Sequence, residues 1–398
     1  MKHHYFFIAF TVLVAAGFAP DVKSQWINVG GTGTPTVNSF AVNETDVFAG
    51  TGGSGVYLST DHGATWTAVN NGLTKKYVWS VQTSGSILLA GTEYGGIYLS
   101  TNAGSNWTGM NTGLKNIDVK TVSIVGSNIF AGTYGGGVFI SSDNGGSWAK
   151  AGAGLNGSYP YALASSGGSL FAATYDSGVF VSSDNGANWK VTNSGLTDIH
   201  VQALISNNGD LFAATASAGV FISTDNGVHW TLSNNGLAPF ITDAFAASSS
   251  DLFAATTNGV YLSTDHGANW AAENTGLTTS AIYSLAVSGE YLLAGSNNTG
   301  VWRRPLSEFA VNAVKDISQP EIAVSISPNP TTGIITVRDV TSDIQHVSVT
   351  NILGETVSEL ANSGAADFTF DLSKFPAGIY FARFEMAGSI VTRKIIKE

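Results

Sequence analysis

The sequence predicts an all-β protein, in which a seven-bladed β-propeller is followed by a small Ig-like β-sandwich. The first observation is a unit of about 40 residues that recurs through most of the 398-residue chain, the period of one propeller blade. The second is that each unit contains three short apolar strands and a fourth strand that begins with Trp. The third is a C-terminal stretch of alternating strands, separated by Gly and Pro turns, that lies beyond the repeats.

The N-terminus has the order of a secretory signal peptide. Residues 1–24 begin with Lys2, continue through an apolar run from Tyr5 to Ala19, and end in small or apolar residues before a cleavage site at Gln25. The apolar run covers about 15 residues, whereas a helix that crosses a bilayer needs about 20. We therefore expect a cleaved export signal, and we expect no transmembrane segment in the rest of the chain.

The most specific repeat is the turn Ser-x-Asp-x-Gly-x-x-Trp. Its Asp occurs five times and is replaced once by Asn, at Asp61, Asn102, Asp143, Asp184, Asp225 and Asp265. The Trp residues that close the six copies are Trp66, Trp107, Trp148, Trp189, Trp230 and Trp270, spaced by 41, 41, 41, 41 and 40 residues. Trp26 lies 40 residues before Trp66, so it occupies the same position in a copy without the turn.

The copies are offset at the two ends of the repeat region. The chain begins with a lone fourth strand at Trp26 and ends with a strand triplet at 282–304 that has no fourth strand. Pairing these two pieces would complete a seventh blade and leave no open sheet edge. An open solenoid is disfavoured because it would leave both pieces unpaired, and a parallel β-helix has much shorter repeats.

The Asp-containing turn resembles the Asp-box, or BNR repeat, of sialidases, sortilin-type receptors and photosystem II assembly factors, and the resemblance covers residues 25–306. It implies that the turns join the third and fourth strands, away from the ligand face. Asp and Ser side chains can accept backbone N–H groups in a tight turn, and the Trp can fill the space between blades. We expect these residues to build the fold, because each turn has too few carboxylates for the roughly six to eight oxygens around Ca²⁺. No metal site is predicted.

The sequence of the C-terminal region predicts a linker over residues 307–323 and a β-sandwich over residues 324–398. Three segments strongly resemble the type A sorting domain of the type IX secretion system of Bacteroidota: Pro328-Asn-Pro330, Pro376-Ala-Gly-Ile-Tyr380 and Lys394-Ile-Ile-Lys397. The resemblance implies the type IX machinery as a partner and a location on, or release from, the surface of a Gram-negative cell. The alternative, a carbohydrate-binding sandwich, is less favoured because the tail offers no aromatic platform beyond strand-patterned Phe and Tyr.

Composition and charge exclude several classes of function. The absence of Cys excludes disulfides, iron–sulfur clusters and zinc–thiolate sites, and the net charge of −11 disfavours nucleic acid as a partner. A sialidase is excluded because the repeats contain only Arg303 and Arg304, and that family needs three arginines. No cofactor is predicted.

A glycoside hydrolase or lyase remains an open alternative. Its carboxylate pair would be one such as Asp198 with Asp243, or Glu93 with Asp176. Hydrolysis requires two carboxyls about 5–9 Å apart, and the sequence does not give that distance.

Positions at which the copies differ mark the expected ligand face. They lie in the loops that enter each blade, in the loops between its second and third strands, and at the second residue of each inner strand, where Asn38, Trp79, Lys120, Tyr161, Gln202, Asp243 and Tyr283 stand. The predicted ligand-binding residues are Tyr77, Trp79, Tyr94, Lys120, Tyr134, Tyr161, Tyr175, Asp243 and Tyr283. Aromatic contacts of this kind suit an extracellular glycan or protein. The alternative is that the rings only plug the channel.

Two further features refine the expected ligand face. Lys75, Lys76, Lys115 and Lys120 fall in neighbouring blades and would favour an anionic ligand. Because the repeats assemble no arginine triad, metal cluster or activated nucleophile, we expect a binding module rather than a catalyst.

Overall fold

The computed structural model describes two compact units, which meet in the chain between residues 310 and 311. The described residues are 25–33, 35–155, 158–237, 241–249, 251–279, 281–309, 325–338, 344–351, 355–361, 368–386 and 389–398. The predicted signal peptide at 1–24 and most of the predicted linker lie outside these residues. The two units are considered one at a time.

The first unit consists of seven four-stranded antiparallel sheets, the blades. Blades 1 to 6 each use four consecutive strands, as the repeat predicts, and blade 7 combines the first strand of the chain with three late ones. The strands are β1 (Ile27–Gly30); in blade 1, β2 (Val37–Asn43), β3 (Asp46–Thr51), β4 (Gly55–Ser59) and β5 (Thr67–Ala68); in blade 2, β6 (Val78–Ser84), β7 (Ile87–Thr92), β8 (Gly96–Ser100) and β9 (Thr108–Gly109); in blade 3, β10 (Val119–Val125), β11 (Asn128–Thr133), β12 (Gly137–Ser141) and β13 (Ala149–Lys150); in blade 4, β14 (Pro160–Ser166), β15 (Ser169–Thr174), β16 (Gly178–Ser182) and β17 (Lys190–Val191); in blade 5, β18 (Val201–Asn207), β19 (Asp210–Thr215), β20 (Val220–Ser223) and β21 (Thr231–Leu232); in blade 6, β22 (Thr242–Ser248), β23 (Asp251–Thr256), β24 (Gly259–Ser263) and β25 (Ala271–Ala272); and in blade 7, β26 (Ile282–Ser288), β27 (Tyr291–Ser296) and β28 (Val301–Pro305). A single 3₁₀ turn, Leu306–Glu308, follows β28.

The seventh blade is completed by the N-terminal strand. Strand β1 pairs antiparallel with β28, so that Ile27 lies opposite Arg303. The buried Trp26 donates its indole N–H to the carbonyl of Glu273 in blade 6, over 2.6 Å. The hydroxyl of Ser284 in β26 donates to the carbonyl of Val37 in β2, over 2.8 Å, and so joins blade 7 to blade 1. The two ends of the repeat region are thus held in one hydrogen-bonded sheet.

Apolar packing between neighbouring blades forms the core of this unit. One cluster joins Phe48 and Val56 of blade 1 to Val81, Leu88 and Trp107 of blade 2, and the other clusters repeat this arrangement around the propeller. Trp107 also donates its indole N–H to the carbonyl of Val69 in blade 1, over 2.7 Å. A buried Trp therefore fills the space between blades and satisfies its polar atom there.

The Asp-containing turns are held by a repeated set of hydrogen bonds. In blade 3, Ser141 Oγ donates to Asp143 Oδ1 over 2.7 Å and accepts from the N–H of Gly145 over 2.8 Å. Asp143 also accepts the N–H and the hydroxyl of Ser147, over 2.8 and 2.7 Å. These hydrogen bonds lower the pKa of Asp143 to about 2, and the bond from the Ser147 hydroxyl makes the largest contribution. Gly145 has a φ of +87°, which glycine adopts at little cost.

The second unit has two antiparallel sheets. The strands are β29 (Ser325–Ser327), β30 (Ile334–Arg338) and β33 (Phe368–Asp371) in one sheet, and β31 (Ile344–Asn351), β32 (Thr356–Ala361), β34 (Gly378–Met386) and β35 (Ser389–Lys397) in the other. Side chains from both sheets, among them Ile335, Phe370, Val347 and Phe384, form one buried cluster. Asn329 donates to the carbonyl of Lys394 over 2.7 Å and accepts from the N–H of Ile396 over 2.8 Å. Two of the three segments that carry the sorting-domain resemblance are therefore in contact.

Candidate functional site

Each inner strand of the propeller carries a β-bulge at its second residue. In blade 3, Val119 pairs with Thr133 and Thr121 pairs with the adjacent Gly132, which leaves Lys120 as the extra residue. The register shifts at the same place in the other six blades. A bulge takes its residue out of the ladder and turns the side chain away from the pleat. The seven bulge residues are Asn38, Trp79, Lys120, Tyr161, Gln202, Asp243 and Tyr283.

The seven bulge residues line one cavity of about 190 Å³. All seven are half-buried. The register of the repeat predicts that they form a ring near the channel, and in the structure they do surround one space. Five of them, Trp79, Lys120, Tyr161, Asp243 and Tyr283, are among the predicted binding residues. We refer to these seven residues as the channel ring.

The positive charge in the channel ring already has a partner. Lys120 Nζ lies 3.4 Å from Asp118 Oδ1 and 3.7 Å from the centroid of the Trp79 ring, and its side chain is 11% exposed. Loss of solvent lowers the pKa of Lys120, although Asp118 and Glu93 act in the opposite direction. Asp118 is absent from the predicted binding residues. Its place two residues before the bulge, in a loop that enters the blade, is the signal that could have identified it.

The negative charge in the channel ring has a different environment. Burial raises the pKa of Asp243 from 3.8 to about 6, and no charged neighbour adds to this shift. Asp243 Oδ2 is buried and has no hydrogen-bond partner among the described residues, and the same is true of Trp79 Nε1 and Gln202 Oε1. Buried polar atoms nearly always have a partner, so three such atoms on residues that line one cavity are unusual.

An arc of tyrosines lies beside the channel ring on blades 3 and 4. The rings of Tyr134 and Tyr159 are 4.6 Å apart, and those of Tyr161 and Tyr175 stack at 5.3 Å with an angle of 28°. Tyr134 and Tyr175 are 48% and 40% exposed, and Lys120 Nζ lies 5.2 Å from the Tyr134 ring. We call Tyr134, Tyr159, Tyr161 and Tyr175 the tyrosine arc. Its rings form a rigid aromatic surface that leads into the cavity.

His200 extends the tyrosine arc into blade 5. Its ring lies 5.2 Å from that of Tyr175, edge to face. His200 is not among the predicted binding residues, and the histidines of the propeller lie far apart in the sequence. Only the pairing of the loops around it brings it to the arc.

The two variable loop sets meet in every blade. The N–H of Tyr134 donates to the carbonyl of Asp118, and the N–H of Tyr175 donates to that of Tyr159. Equivalent hydrogen bonds run from the backbone N–H of one residue to the backbone carbonyl of another in the remaining five blades: from residue 52 to 36, 93 to 77, 216 to 200, 257 to 241 and 297 to 281. The loops that enter the blades therefore lie against the loops between their second and third strands.

The remaining two predicted residues, Tyr77 and Tyr94, lie outside the cavity lining. The Tyr77 ring packs on that of Trp79 at 4.6 Å, and burial raises its pKa. Tyr94 is 65% exposed, with a φ of +51°. Tyr77 therefore packs against one member of the channel ring, while Tyr94 projects into solvent on blade 2.

The carboxylates named for a hydrolytic mechanism have other roles. Asp198 accepts the hydroxyl and N–H of Ser217, over 2.7 and 2.8 Å, and the N–H and ring nitrogen of His200, over 2.9 and 2.8 Å. Burial favours a higher pKa for Asp198, but these hydrogen bonds lower it to about 2. A carboxylate that is ionised and fully engaged in this way holds its loop and is a poor proton donor.

The second candidate pair, Glu93 and Asp176, is used differently. The charge of Glu93 acts on Tyr77 and Lys120, while Asp176 accepts the N–H of Tyr159 over 3.2 Å. Of the two arginines in the repeats, Arg303 lies 3.4 Å from the Tyr291 ring and Arg304 pairs with Glu273 at 2.9 Å. Both arginines are thereby engaged within blades 6 and 7.

The part of the chain that the structure describes lacks two further features. It contains no cluster of three or more His, Asp or Glu side chains that could hold a metal ion. It also contains no helix with the length and apolar character that a membrane crossing demands.

Solved structures similar to this chain share the propeller fold. The chain aligns with YCF48 bound to D1 peptide at 15% identity and a TM-score of 0.58, over 71% of this chain and 95% of that one. It aligns with PorZ, a surface component of the type IX secretion system of Porphyromonas gingivalis, at 13% identity and a TM-score of 0.54. That alignment covers 92% of this chain and 59% of PorZ. At these identities the likeness establishes the fold alone.

A third similar structure is the extracellular domain of a hybrid two-component system from B. thetaiotaomicron. The identity is 15% and the TM-score 0.59, over 94% of this chain and 57% of that one. This chain therefore spans less than two thirds of both bacterial surface proteins. No curated protein matches the chain by sequence.

The C-terminal unit gives the more specific match. Residues 325–398 match the family model of the secretion system C-terminal sorting domain. The resemblance carried by Pro328-Asn-Pro330 and Pro376–Tyr380 is thereby confirmed. The chain carries a type IX secretion sorting domain, which indicates export to the cell surface or secretion.

Proposed function

We propose that the propeller is a binding module for an extracellular glycan or protein, which the sorting domain delivers to the cell surface or the medium. The ligand contacts the tyrosine arc and enters the channel ring. The observation that carries this proposal is that all seven bulge residues, which differ between the copies of the repeat, line one cavity. Varied side chains that surround one shared space suit recognition better than packing.

The tyrosine arc supplies the contact area. Tyr134 and Tyr175 present about half of their side chains to solvent, and each is held by a second ring. A pre-ordered aromatic ring loses little conformational entropy when a ligand stacks on it. Lys120, held between Trp79 and Asp118, is similarly fixed before the ligand arrives.

Catalysis is the second candidate, because a carboxyl with a pKa near 6 is suited to general acid catalysis. Asp243 has that property. The hydrolytic mechanism needs a second carboxyl about 5–9 Å away, and Asp243 is the sole carboxylate in the cavity lining. Asp198, the partner named by the sequence, is already saturated with hydrogen bonds. Binding is therefore the better-supported function.

The proposal is tested with the purified protein on a glycan array and on immobilised outer-surface protein. The double variant Tyr134→Ala/Tyr175→Ala should lose at least tenfold in affinity for the captured ligand while its melting temperature changes little. Leu232→Ala is the matched control, since Leu232 is 59% exposed on the outermost strand of blade 5. Equal binding by wild type and double variant would refute the site. Release of reducing ends that disappears in Asp243→Asn would favour the hydrolase.

A further inference from the structure

The channel ring contains a specific set of unused hydrogen-bonding atoms. Asp243 Oδ2 and Gln202 Oε1 are acceptors, and Trp79 Nε1 is a donor; all three are buried without a partner among the described residues. Burying such atoms has a free-energy cost that a ligand of matching polarity removes. Because the three residues line the cavity, the polarity of these atoms indicates which groups a ligand there would carry.

The two acceptors lie on neighbouring blades. Gln202 and Asp243 are the bulge residues of β18 and β22, the adjacent inner strands of blades 5 and 6. A group placed between them must donate to both, and a primary ammonium has three protons to donate, whereas a hydroxyl has one. Adjacent acceptors, one of them a carboxylate, thus match an ammonium group.

The charge balance of the cavity favours the same group. Asp243 is the sole carboxylate among the seven lining residues, and Lys120 is the sole cation. Lys120 is already paired with Asp118 and lies over the face of Trp79. The ionised form of Asp243 is consequently left without a countercharge inside the cavity, and a cationic ligand supplies one.

The remaining wall defines the body of the ligand. Tyr161 and Tyr283 also line the cavity, and the indole N–H of Trp79, a third aromatic residue of the lining, requires an acceptor. The cavity volume of about 190 Å³ is enough for several water molecules, so the cavity can admit a compact polar group. The ligand group therefore combines an ammonium with an oxygen acceptor.

We infer that the channel ring binds a primary ammonium group on a ligand that also carries an oxygen acceptor, as found in an amino sugar or an α-amino acid. The inference rests on the proposed binding function and adds the chemistry of the group that enters the cavity. Asp243 and Gln202 receive the ammonium protons, and Trp79 donates to the oxygen. The tyrosine arc contacts whatever the group is attached to.

Binding of the ammonium depends on the ionisation of Asp243. The titratable groups that face Asp243 within the cavity are Lys120, Tyr161 and Tyr283, and the pKa of Asp243 is about 6 because of burial. The ionised fraction of such a group rises about tenfold between pH 5 and pH 7. Affinity for a cationic ligand should rise with pH over this interval, while affinity for a neutral ligand should not.

The test is isothermal titration of the purified protein with four probes: glucosamine, N-acetylglucosamine, glucose and alanine. Glucosamine, alanine or both should bind, about tenfold more tightly at pH 7 than at pH 5. The two neutral sugars should bind at least tenfold more weakly than glucosamine. Binding of alanine but not glucosamine would identify an amino acid as the source of the ammonium, and the reverse would identify an amino sugar.

Two variants connect the binding to the residues. Asp243→Asn keeps the shape of the side chain and should remove both the amine binding and its pH dependence. Gln202→Leu should weaken it several-fold. Failure of both amines to bind, equal binding of neutral sugars, or unchanged amine binding by Asp243→Asn would overturn the inference. If the inference fails in this way but a ligand from the glycan array still requires the tyrosine arc, the proposed binding function stands and only the ammonium assignment is wrong.

Discussion

The Asp-containing turns and the channel ring use the same residue type in opposite ways. Asp143 in a turn accepts three hydrogen bonds, and its pKa falls to about 2. Asp243 in the channel ring has a buried oxygen without a partner, and its pKa rises to about 6. The turn is a site at which the fold satisfies the carboxylate. The ring is a site at which the fold leaves it unsatisfied.

This difference separates the residues that maintain the fold from those available for a ligand. The turn repeats almost unchanged in six blades, because each copy must solve the same local hydrogen-bonding problem. The bulge position holds Asn, Trp, Lys, Tyr, Gln, Asp and Tyr in turn, although the backbone register is the same in each blade. A conserved backbone with varied side chains is an arrangement suited to recognition.

The largest expected effect compares two tryptophans. Trp107 lies between blades, is 4% exposed and donates its N–H across the blade boundary, so Trp107→Ala should cost about 3–5 kcal/mol of unfolding free energy. Trp79 is half-buried in the channel ring, and Trp79→Ala should cost only about 1–2 kcal/mol. Urea unfolding of both variants measures the difference. Equal costs would mean that the ring supports the fold as much as the blade boundaries do.

The second prediction concerns the sign of a pH effect. The folded protein holds a proton on Asp243 more tightly than the unfolded chain does, since burial raises its pKa from 3.8 to about 6. Its contribution to stability therefore falls as the pH rises from about 4 through 6. Asp243→Asn should raise the unfolding free energy by up to about 3 kcal/mol at pH 7.5 and by almost nothing at pH 4.

A matched substitution in a turn should have the opposite sign. Because the pKa of Asp143 is lowered, its stabilising effect is present above pH 4 and is lost as the pH falls towards 2. Asp143→Asn should therefore destabilise at pH 7.5, where Asp243→Asn stabilises. Unfolding of both variants at the two pH values tests the comparison. Two changes of the same sign at pH 7.5 would contradict it.

The third and smallest effect concerns the serine of a turn. Ser141 is buried, and its hydroxyl both donates to Asp143 and accepts from Gly145 N. Ser141→Ala should cost about 2 kcal/mol, as expected for two lost hydrogen bonds in a buried place. Ser147→Ala, at the exposed end of the same turn, is the control and should cost less. Thermal unfolding separates the two, and an undamaged Ser141→Ala variant would show that the turn is dispensable.

Much of the fold could be predicted from the sequence because its determinants are local and repeated. Spacing of the Trp residues indicates the blade, and the offset of Trp26 from the last triplet indicates which strand completes blade 7. The sorting domain could be recognised because its motifs are short and contiguous in the sequence.

Other features were beyond the sequence because they depend on pairing between distant segments. The bulge at Asp243 is a shift in register between β22 and β23, and no particular residue type in the sequence predicts such a shift. The contact of Lys120 with its countercharge, Asp118, likewise involves the bulge between β10 and β11. An Asn four residues after most of the repeat Trp residues also escaped notice: Asn70 and Asn111 each accept a strand N–H and donate to a turn carbonyl. The spacing can be read from the sequence, but the hydrogen bonds that these Asn side chains make cannot.

The central claim is that the Asp-containing turns stabilise the propeller, whereas the channel ring and the tyrosine arc bind the ligand. The most direct test measures ligand affinity and unfolding free energy together for Tyr134→Ala/Tyr175→Ala and for Ser141→Ala. The account predicts that the first variant loses affinity at least tenfold with little change in stability, whereas the second loses stability and, under folded conditions, keeps its affinity. Unchanged affinity in the tyrosine variant, accompanied by a large loss of stability, would contradict the account.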